Sequence, residues 1–175
     1  YGTRVMDVYV QKGAFPEALC NLIKYEGYTQ HLPVAGLIGA AEDDKLRSSE
    51  VRWLRRGDKW NNLFELMEQT VAKVGCEFFD IFGLALEPIQ LSTYMPGCYY
   101  GWHSDYSPEV PRRLSFTIQL DNYDEYEGGD LEFKVAPLPE SATEKGTLII
   151  FKSELWHQVT PVTAGARHSL VGWFR

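Results

Sequence analysis

The sequence predicts a mainly β protein with helices confined to its N-terminal half, and three observations carry that expectation. Apolar residues recur at helical spacing only before Gly83, the segments after it shorten to strand length, and Gly, Pro, Asn and Asp separate those segments without an intervening helix. About seven or eight short strands in succession point to a sandwich or barrel, not a parallel α/β sheet. At 175 residues the chain has the size of one domain. We therefore expect a single unit over 1–175, with residues 1–83 supplying a strand and supporting helices and residues 84–175 the β core.

Each element follows from its local pattern. From Arg4 to Val10, apolar and β-branched residues cluster as a strand. Pro16 then opens Glu17 to Tyr28, where Leu19, Leu22 and Ile23 recur at helical spacing. Lys59 to Phe79 repeats that spacing with Leu63, Leu66, Met67, Val71 and Val74, and its Ala, Glu and Gln favour a long helix. The expected strands are Leu86 to Tyr94, Tyr99 to His103, Leu114 to Leu120, Asp130 to Phe133, Thr147 to Phe151, Trp156 to Pro161 and Arg167 to Phe174. In the third, Leu114, Phe116, Ile118 and Leu120 share one face while Ser115, Thr117 and Gln119 share the other. The acidic run Asp121 to Glu127 reads as a solvated loop. Gly128-Gly129 reads as a turn or bulge, since no Lys-Ser/Thr tail of a phosphate loop follows.

Bulk composition excludes several roles. Apolar residues make up 45% of the chain, yet no apolar run approaches the roughly 18 to 20 residues of a membrane-spanning helix, so no membrane partner is expected. Seventeen basic against 24 acidic residues give a net charge of -7, the wrong sign for binding duplex nucleic acid through its phosphates. Cys20, Cys76 and Cys98 are odd in number and never in C-x-x-C spacing, which argues against a disulfide framework or a zinc ribbon. With no basic-then-apolar leader after Tyr1, a cytoplasmic setting is the expectation.

The chemistry concentrates in the second half. His103-Ser104-Asp105 is an H-x-D triplet at a strand end, where alternation puts imidazole and carboxylate on the same side. His157, at the start of a later strand, can supply a third ligand. Two His and one carboxylate with open positions opposite suit non-haem Fe(II), without excluding other metals. An H-x-D triplet also arises by chance, and a His beside Trp156 is often a packed histidine. Arg167 followed at the same strand parity by Ser169 adds a guanidinium and a hydroxyl aimed one way, a receptor for a carboxylate. By the same parity His168 faces away, and His31 near Pro33 reads as surface.

At this point the sequence closely resembles the 2-oxoglutarate and Fe(II) dioxygenases, in particular the prolyl 4-hydroxylase-like branch of bacteria and phages. The matching text is Tyr94-Met-Pro-Gly, Tyr100-Gly-Trp-His-Ser-Asp105, Arg113-Leu-Ser-Phe-Thr-Ile-Gln-Leu120 and Glu127-Gly-Gly-Asp-Leu-Glu-Phe133. It continues through Gly146-Thr-Leu-Ile-Ile-Phe151, Trp156-His157-Gln-Val-Thr-Pro-Val-Thr and Gly165-Ala-Arg-His-Ser-Leu-Val-Gly-Trp-Phe174. Arg47, Val51-Arg-Trp-Leu54 and Trp60 match less specifically.

The resemblance implies a double-stranded β-helix, the jelly-roll core of cupin-like proteins, buttressed by the N-terminal helices. It implies that His103, Asp105 and His157 bind Fe(II), that Arg167 pairs with the distal carboxylate of 2-oxoglutarate, and that Tyr94 hydrogen-bonds this cosubstrate. Ser169 and Thr117 line the same pocket, with Trp173 and Leu131 as apolar walls and Arg113 as a second candidate for the carboxylate. The implied reaction is hydroxylation of a C–H by O2, supported by ascorbate, and Asp105 favours it over halogenation because related halogenases lack that carboxylate. The implied substrate is a prolyl residue of a peptide or protein, held between Tyr106 to Pro111 and loops of the N-terminal half. Tyr99, Tyr100, Trp102 and Tyr106 would form an aromatic mouth, with Arg112 and Arg113 contacting the substrate. Specificity would sit in the loops Ala35 to Lys45, Tyr106 to Pro111 and Ala136 to Lys145. A free amino acid or small molecule, a nucleobase, and a non-enzymatic jelly-roll binding module are the competing readings.

Overall fold

The computed structural model describes residues 2–29, 48–57 and 59–175, and the backbone of 34–35. The chain opens with β1 (Thr3–Val5) and β2 (Val8–Gln11), a hairpin and not the single strand expected over Arg4 to Val10. Met6 takes a left-handed φ of 53° and Asp7 follows it, which closes a two-residue turn between the paired Val5 and Val8. α1 (Glu17–Thr29) comes next, then β3 (Val34–Ala35), β4 (Glu50–Leu54) and α2 (Asn61–Val74). β4 carries Val51-Arg-Trp-Leu54, one of the less specific matches in the sequence. A π-turn over Gly75–Phe79 extends α2, and Asp80 in the left-handed region ends it by donating its N–H to the Gly75 carbonyl.

The remaining strands are β5 (Ile89–Tyr94), β6 (Tyr100–His103), β7 (Leu114–Gln119), β8 (Tyr126–Gly128), β9 (Leu131–Phe133), β10 (Leu148–Lys152), β11 (His157–Val159), β12 (Val162–Gly165) and β13 (Arg167–Phe174). Among the described residues they form an eight-stranded sheet in the order β1-β2-β10-β7-β13-β5-β4-β3, a three-stranded sheet β6-β11-β9 and a pair β12-β8. The segment Trp156 to Pro161 thus splits. β11 and β12 join different sheets, and the break falls at Pro161, which has no N–H to continue a ladder.

Both faces of the large sheet are covered. On one, Leu114, Phe116, Ile118 and Leu120 pack with Ile23 of α1 and Phe64, Met67 and Val71 of α2. On the other, Val8, Val10, Ile149 and Phe151 meet Phe133 of the three-stranded sheet. The result is a double-stranded β-helix with helices buttressing its outer face. Ser115, Thr117 and Gln119, the polar face of β7, point into the barrel and are buried.

The run Asp121 to Glu127 is only partly the solvated loop expected. Asp121 is buried, with Oδ1 2.5 Å from Lys24 Nζ of α1 and Oδ2 accepting the His168 backbone N–H at 2.5 Å. His168 Nδ1 lies 2.7 Å from the same oxygen, so this side chain continues the ladder where β7 has ended. Cys20, Cys76 and Cys98 are all free thiols, and no helix among the described residues is long and apolar enough to cross a membrane.

Candidate metal and carboxylate site

His103 ends β6 and His157 begins β11, and the two are direct antiparallel partners, so their rings come together at 4.2 Å between centroids. Asp105 lies in the bend just past β6, with its N–H bonded to the Ser153 carbonyl at 2.9 Å. One ligand atom from each of the three residues falls within 4.8 Å of the others. Asp105 Oδ1 is 3.5 Å from His103 Nε2, and Oδ2 is 3.7 Å from His157 Nε2. The other ring nitrogens are occupied: His103 Nδ1 faces the Gly101 carbonyl at 2.7 Å and His157 Nδ1 the Leu155 carbonyl at 2.9 Å. A carbonyl can only accept, so Nδ1 carries the proton and Nε2 turns its lone pair toward the cluster. Tyr100 stacks on His103 at 3.5 Å, while Phe133 and Phe151 flank His157 and fix its plane.

The electrostatics suit a dication. Burial pushes His157 below the usual imidazole range and keeps it neutral. Burial alone would raise Asp105, but the closeness of His103 and His157 and the hydrogen bond donated by the Ser115 hydroxyl outweigh it and hold the carboxyl well below its usual range. Two imidazole nitrogens and one ionised carboxylate form the donor set that Fe(II) takes.

β13 places Arg167 in the lining of the same cleft. It is 2% exposed, a buried cation that has no carboxylate partner among the described residues. Nη2 donates to Gln119 Oε1 at 2.9 Å, whereas Nε is buried without a hydrogen-bond partner. The guanidinium lies 5.5 Å from the Tyr94 ring centroid, since Tyr94 is its direct partner on β5. Gly129 makes room for it: φ is +64°, and a Cβ there would meet Arg167 Cδ at 3.0 Å and Val162 Cγ2 at 2.8 Å. Thr117 and Ser169 complete the lining, so the cleft brings together His103, Asp105, His157, Arg167, Tyr94, Ser169 and Thr117. An unfilled donor on a buried cation, in the same cleft as three metal-type ligands, suits a small carboxylate ligand.

Residues 89–175 match the family model described as the 2OG-Fe(II) oxygenase superfamily. The chain belongs to that superfamily. A PKHD-type hydroxylase of Parvibaculum lavamentivorans is 39% identical over 105 residues, 55% of this chain and 48% of that protein. A PKHD-type hydroxylase of Maricaulis maris is 40% identical over 96 residues, 51% of this chain and 42% of that protein. The matched region thus spans about half the length of these curated relatives. Across nearly the whole chain the fold is that of a Pseudomonas putida prolyl-4-hydroxylase, with a TM-score of 0.74 at 22% identity, covering 97% of this chain and 92% of that one. A viral collagen prolyl hydroxylase from Paramecium bursaria Chlorella virus-1 gives 0.73 at 20% identity, covering 97% and 96%.

Within this superfamily member the outer expectations fare less evenly. Trp173 and Leu131 line the cleft, and Trp173 is more than an apolar wall because its Nε1–H is buried without a partner. Arg113 is no second carboxylate receptor: its Nη1 donates to the Phe82 carbonyl on the outer surface. Arg112 is tied to Glu87 at 2.8 Å and lies 3.9 Å over the Trp173 ring, so it braces the cleft wall. Of the four mouth aromatics, Tyr100 lines the cleft, while Trp102 sits beneath Lys134 and Tyr106 lies in a separate surface depression with Arg112 and Lys152. Tyr99 is not part of the lining; its N–H donates to Ser48 Oγ. His31, Arg47 and the loop beyond Ala35 to Lys45 lie outside the described residues. Sequence reasoning missed Gln119 as the Arg167 partner and Ser153 as the anchor of Asp105; both depend on strand register and leave no local pattern.

Proposed function

We propose that this chain is an Fe(II)- and 2-oxoglutarate-dependent dioxygenase that hydroxylates a C–H bond, with a prolyl residue of a peptide or protein as its substrate. One observation carries the reading: a single cleft is lined both by His103, Asp105 and His157, whose donor atoms cluster, and by buried Arg167, whose Nε has no hydrogen-bond partner. When bound, Fe(II) with 2-oxoglutarate and O2 supplies oxidative decarboxylation to succinate and CO2, coupled to transfer of one oxygen atom to the substrate.

The protein's own part is binding and orientation. His103 and His157 present Nε2, held by the carbonyls behind each ring, and Asp105 presents an ionised oxygen. Arg167 offers Nε to a carboxylate in a dry setting where a charge-assisted hydrogen bond is strong, and Tyr94 and Thr117 lie beside it. Val159, Val171, Leu131 and Trp173 exclude water from the space between. Ascorbate would keep the metal reduced between turnovers.

The prolyl substrate is supported by the fold neighbours, which include a prolyl hydroxylase from Trichoplax adhaerens in complex with a hypoxia inducible factor peptide fragment. A pyrrolidine ring also suits a cleft lined by Tyr100 and Trp173. The test offers proline-containing peptides, free L-proline and methylated oligonucleotides side by side, counting succinate against product heavier by one oxygen atom. Coupled turnover on a prolyl peptide is the expected result. Coupled turnover only on the free amino acid or the oligonucleotide would discard the prolyl substrate and leave the reaction class.

A further inference from the structure

We infer that Ser115 and Ser153 form a hydroxyl relay that orients the Asp105 carboxylate for metal binding, an inference that rests on the metal-site reading above. Both serines are fully buried. Ser115 Oγ lies 2.7 Å from Asp105 Oδ2, and Ser153 Oγ lies 2.9 Å from Ser115 Oγ. An ionised carboxylate only accepts, so the single Ser115 proton is committed to Asp105. Ser153 must then be the donor of the second bond. The chain runs in one direction, from Ser153 through Ser115 to Asp105, and each bond polarises the next.

Register builds this relay. Ser115 pairs with Phe151 across β7 and β10, and Ser153 follows in the turn that closes β10. The backbone of Ser153 does a separate job: its carbonyl accepts from Asp105 N at 2.9 Å, Tyr106 N at 3.1 Å and Ser104 Oγ at 3.1 Å. The segment bearing Asp105 is therefore anchored whether or not the Ser153 hydroxyl is present. What the hydroxyls add is rotational. With the Ser115 proton on Oδ2, the carboxylate cannot turn about its own axis without breaking a buried bond, and Oδ1, on the His103 side, keeps both lone pairs free. That arrangement favours ligation through one oxygen and leaves other positions around the metal open. Had the serines served only to satisfy each other in a buried strand, removing them would change stability and nothing at the metal.

Anaerobic titration with Co(II), read by its visible absorption, separates these roles. Ser115→Ala is expected to weaken Co(II) binding about 10- to 100-fold, the usual range for the outer partner of a metal ligand, and to shift the absorption bands. Ser153→Ala should move both readouts in the same direction by less, and the double variant should match Ser115→Ala, because Ser153 acts only through Ser115. His103→Ala is the control: retention of Co(II) affinity there would overturn the metal site and this relay with it. Loss in His103→Ala with unchanged affinity and spectrum in Ser115→Ala, or additive losses in the double variant, would overturn the relay alone. Should Ser115→Ala fail to fold, Ser153→Ala decides, since its anchoring carbonyl remains: a shifted spectrum supports the relay and an unshifted one overturns it. Thermal unfolding of the metal-free proteins reports any purely structural contribution.

Discussion

Replacing Arg167 by Met removes the guanidinium while keeping an unbranched stem against Tyr94 and Gly129, and it should separate cosubstrate binding from everything else in the site. The native cation is 2% exposed, has one hydrogen bond at 2.9 Å to a neutral amide and has no carboxylate partner among the described residues. A carboxylate arriving at Nε would gain a buried, charge-assisted contact, and withdrawing one partner from such a pair costs about 3 to 5 kcal/mol. At about 1.4 kcal/mol per tenfold, the 2-oxoglutarate requirement should rise roughly 100- to 1000-fold or more. The requirement for Fe(II) should hardly move. Ligand-free stability supplies a second sign test, because the wild-type protein buries this charge without a counterion. Arg167→Met should therefore unfold no earlier than wild type without 2-oxoglutarate, and should lose the stabilisation that added 2-oxoglutarate gives. The assay is succinate release at varied 2-oxoglutarate with Fe(II) fixed, alongside thermal melts with and without the cosubstrate. An unchanged 2-oxoglutarate requirement would refute the reasoning, whatever the effect on the maximal rate.

Single substitutions His103→Ala, His157→Ala and Asp105→Ala should each abolish metal retention and succinate formation while leaving far-UV circular dichroism intact; metal analysis after gel filtration checks this. Gly129→Ala should both destabilise the protein, through its φ of +64°, and raise the 2-oxoglutarate requirement by pushing on Arg167 Cδ, measured by urea unfolding and the same succinate assay. The hydrogen bond and charge of His168, with those of Lys24, hold Asp121 below its ordinary value of 3.8 against the opposing effect of burial. Its folded pKa is depressed, so its stabilisation is complete above that ordinary value and drains away as pH falls through the folded one. Asp121→Asn should remove this dependence: its stability deficit against wild type should be largest near neutral pH and shrink below the ordinary carboxylate range, as read by unfolding midpoints in acid.

How far the sequence could be read follows from how local each signal is. The His103-Asp105 pair sits in one triplet and needs only strand alternation to converge, and Arg167 with Ser169 needs only the same rule. Those were legible. The β1-β2 hairpin was not, because Val5-Met-Asp-Val8 keeps its apolar ends and only Asp7 hints at a turn. The two smaller sheets were hidden for a related reason: β11 and β12 read as one continuous run until Pro161 is seen to hand the chain from one sheet to the other.

Asp121 makes the general point sharpest. By composition it opens an acidic, tyrosine-bearing loop, and solvation is the ordinary fate of such a residue. Its burial depends on three partners that no window of sequence contains: Lys24 on α1, the His168 backbone N–H on β13 and the His168 imidazole. These groups meet only because β7 ends at Gln119 while β13 starts beside it at Arg167, so a carboxylate two residues beyond the strand supplies the acceptor that the ladder lacks there. The same junction places Gln119 against Arg167 on the inner face and Asp121 against His168 on the outer one. The register that orients the buried Arg167 cation is thereby pinned from both sides of one strand end. Residues proposed to bear the chemistry were readable because alternation alone aims them, whereas residues that hold them in place act across strands and become visible only once the register is known.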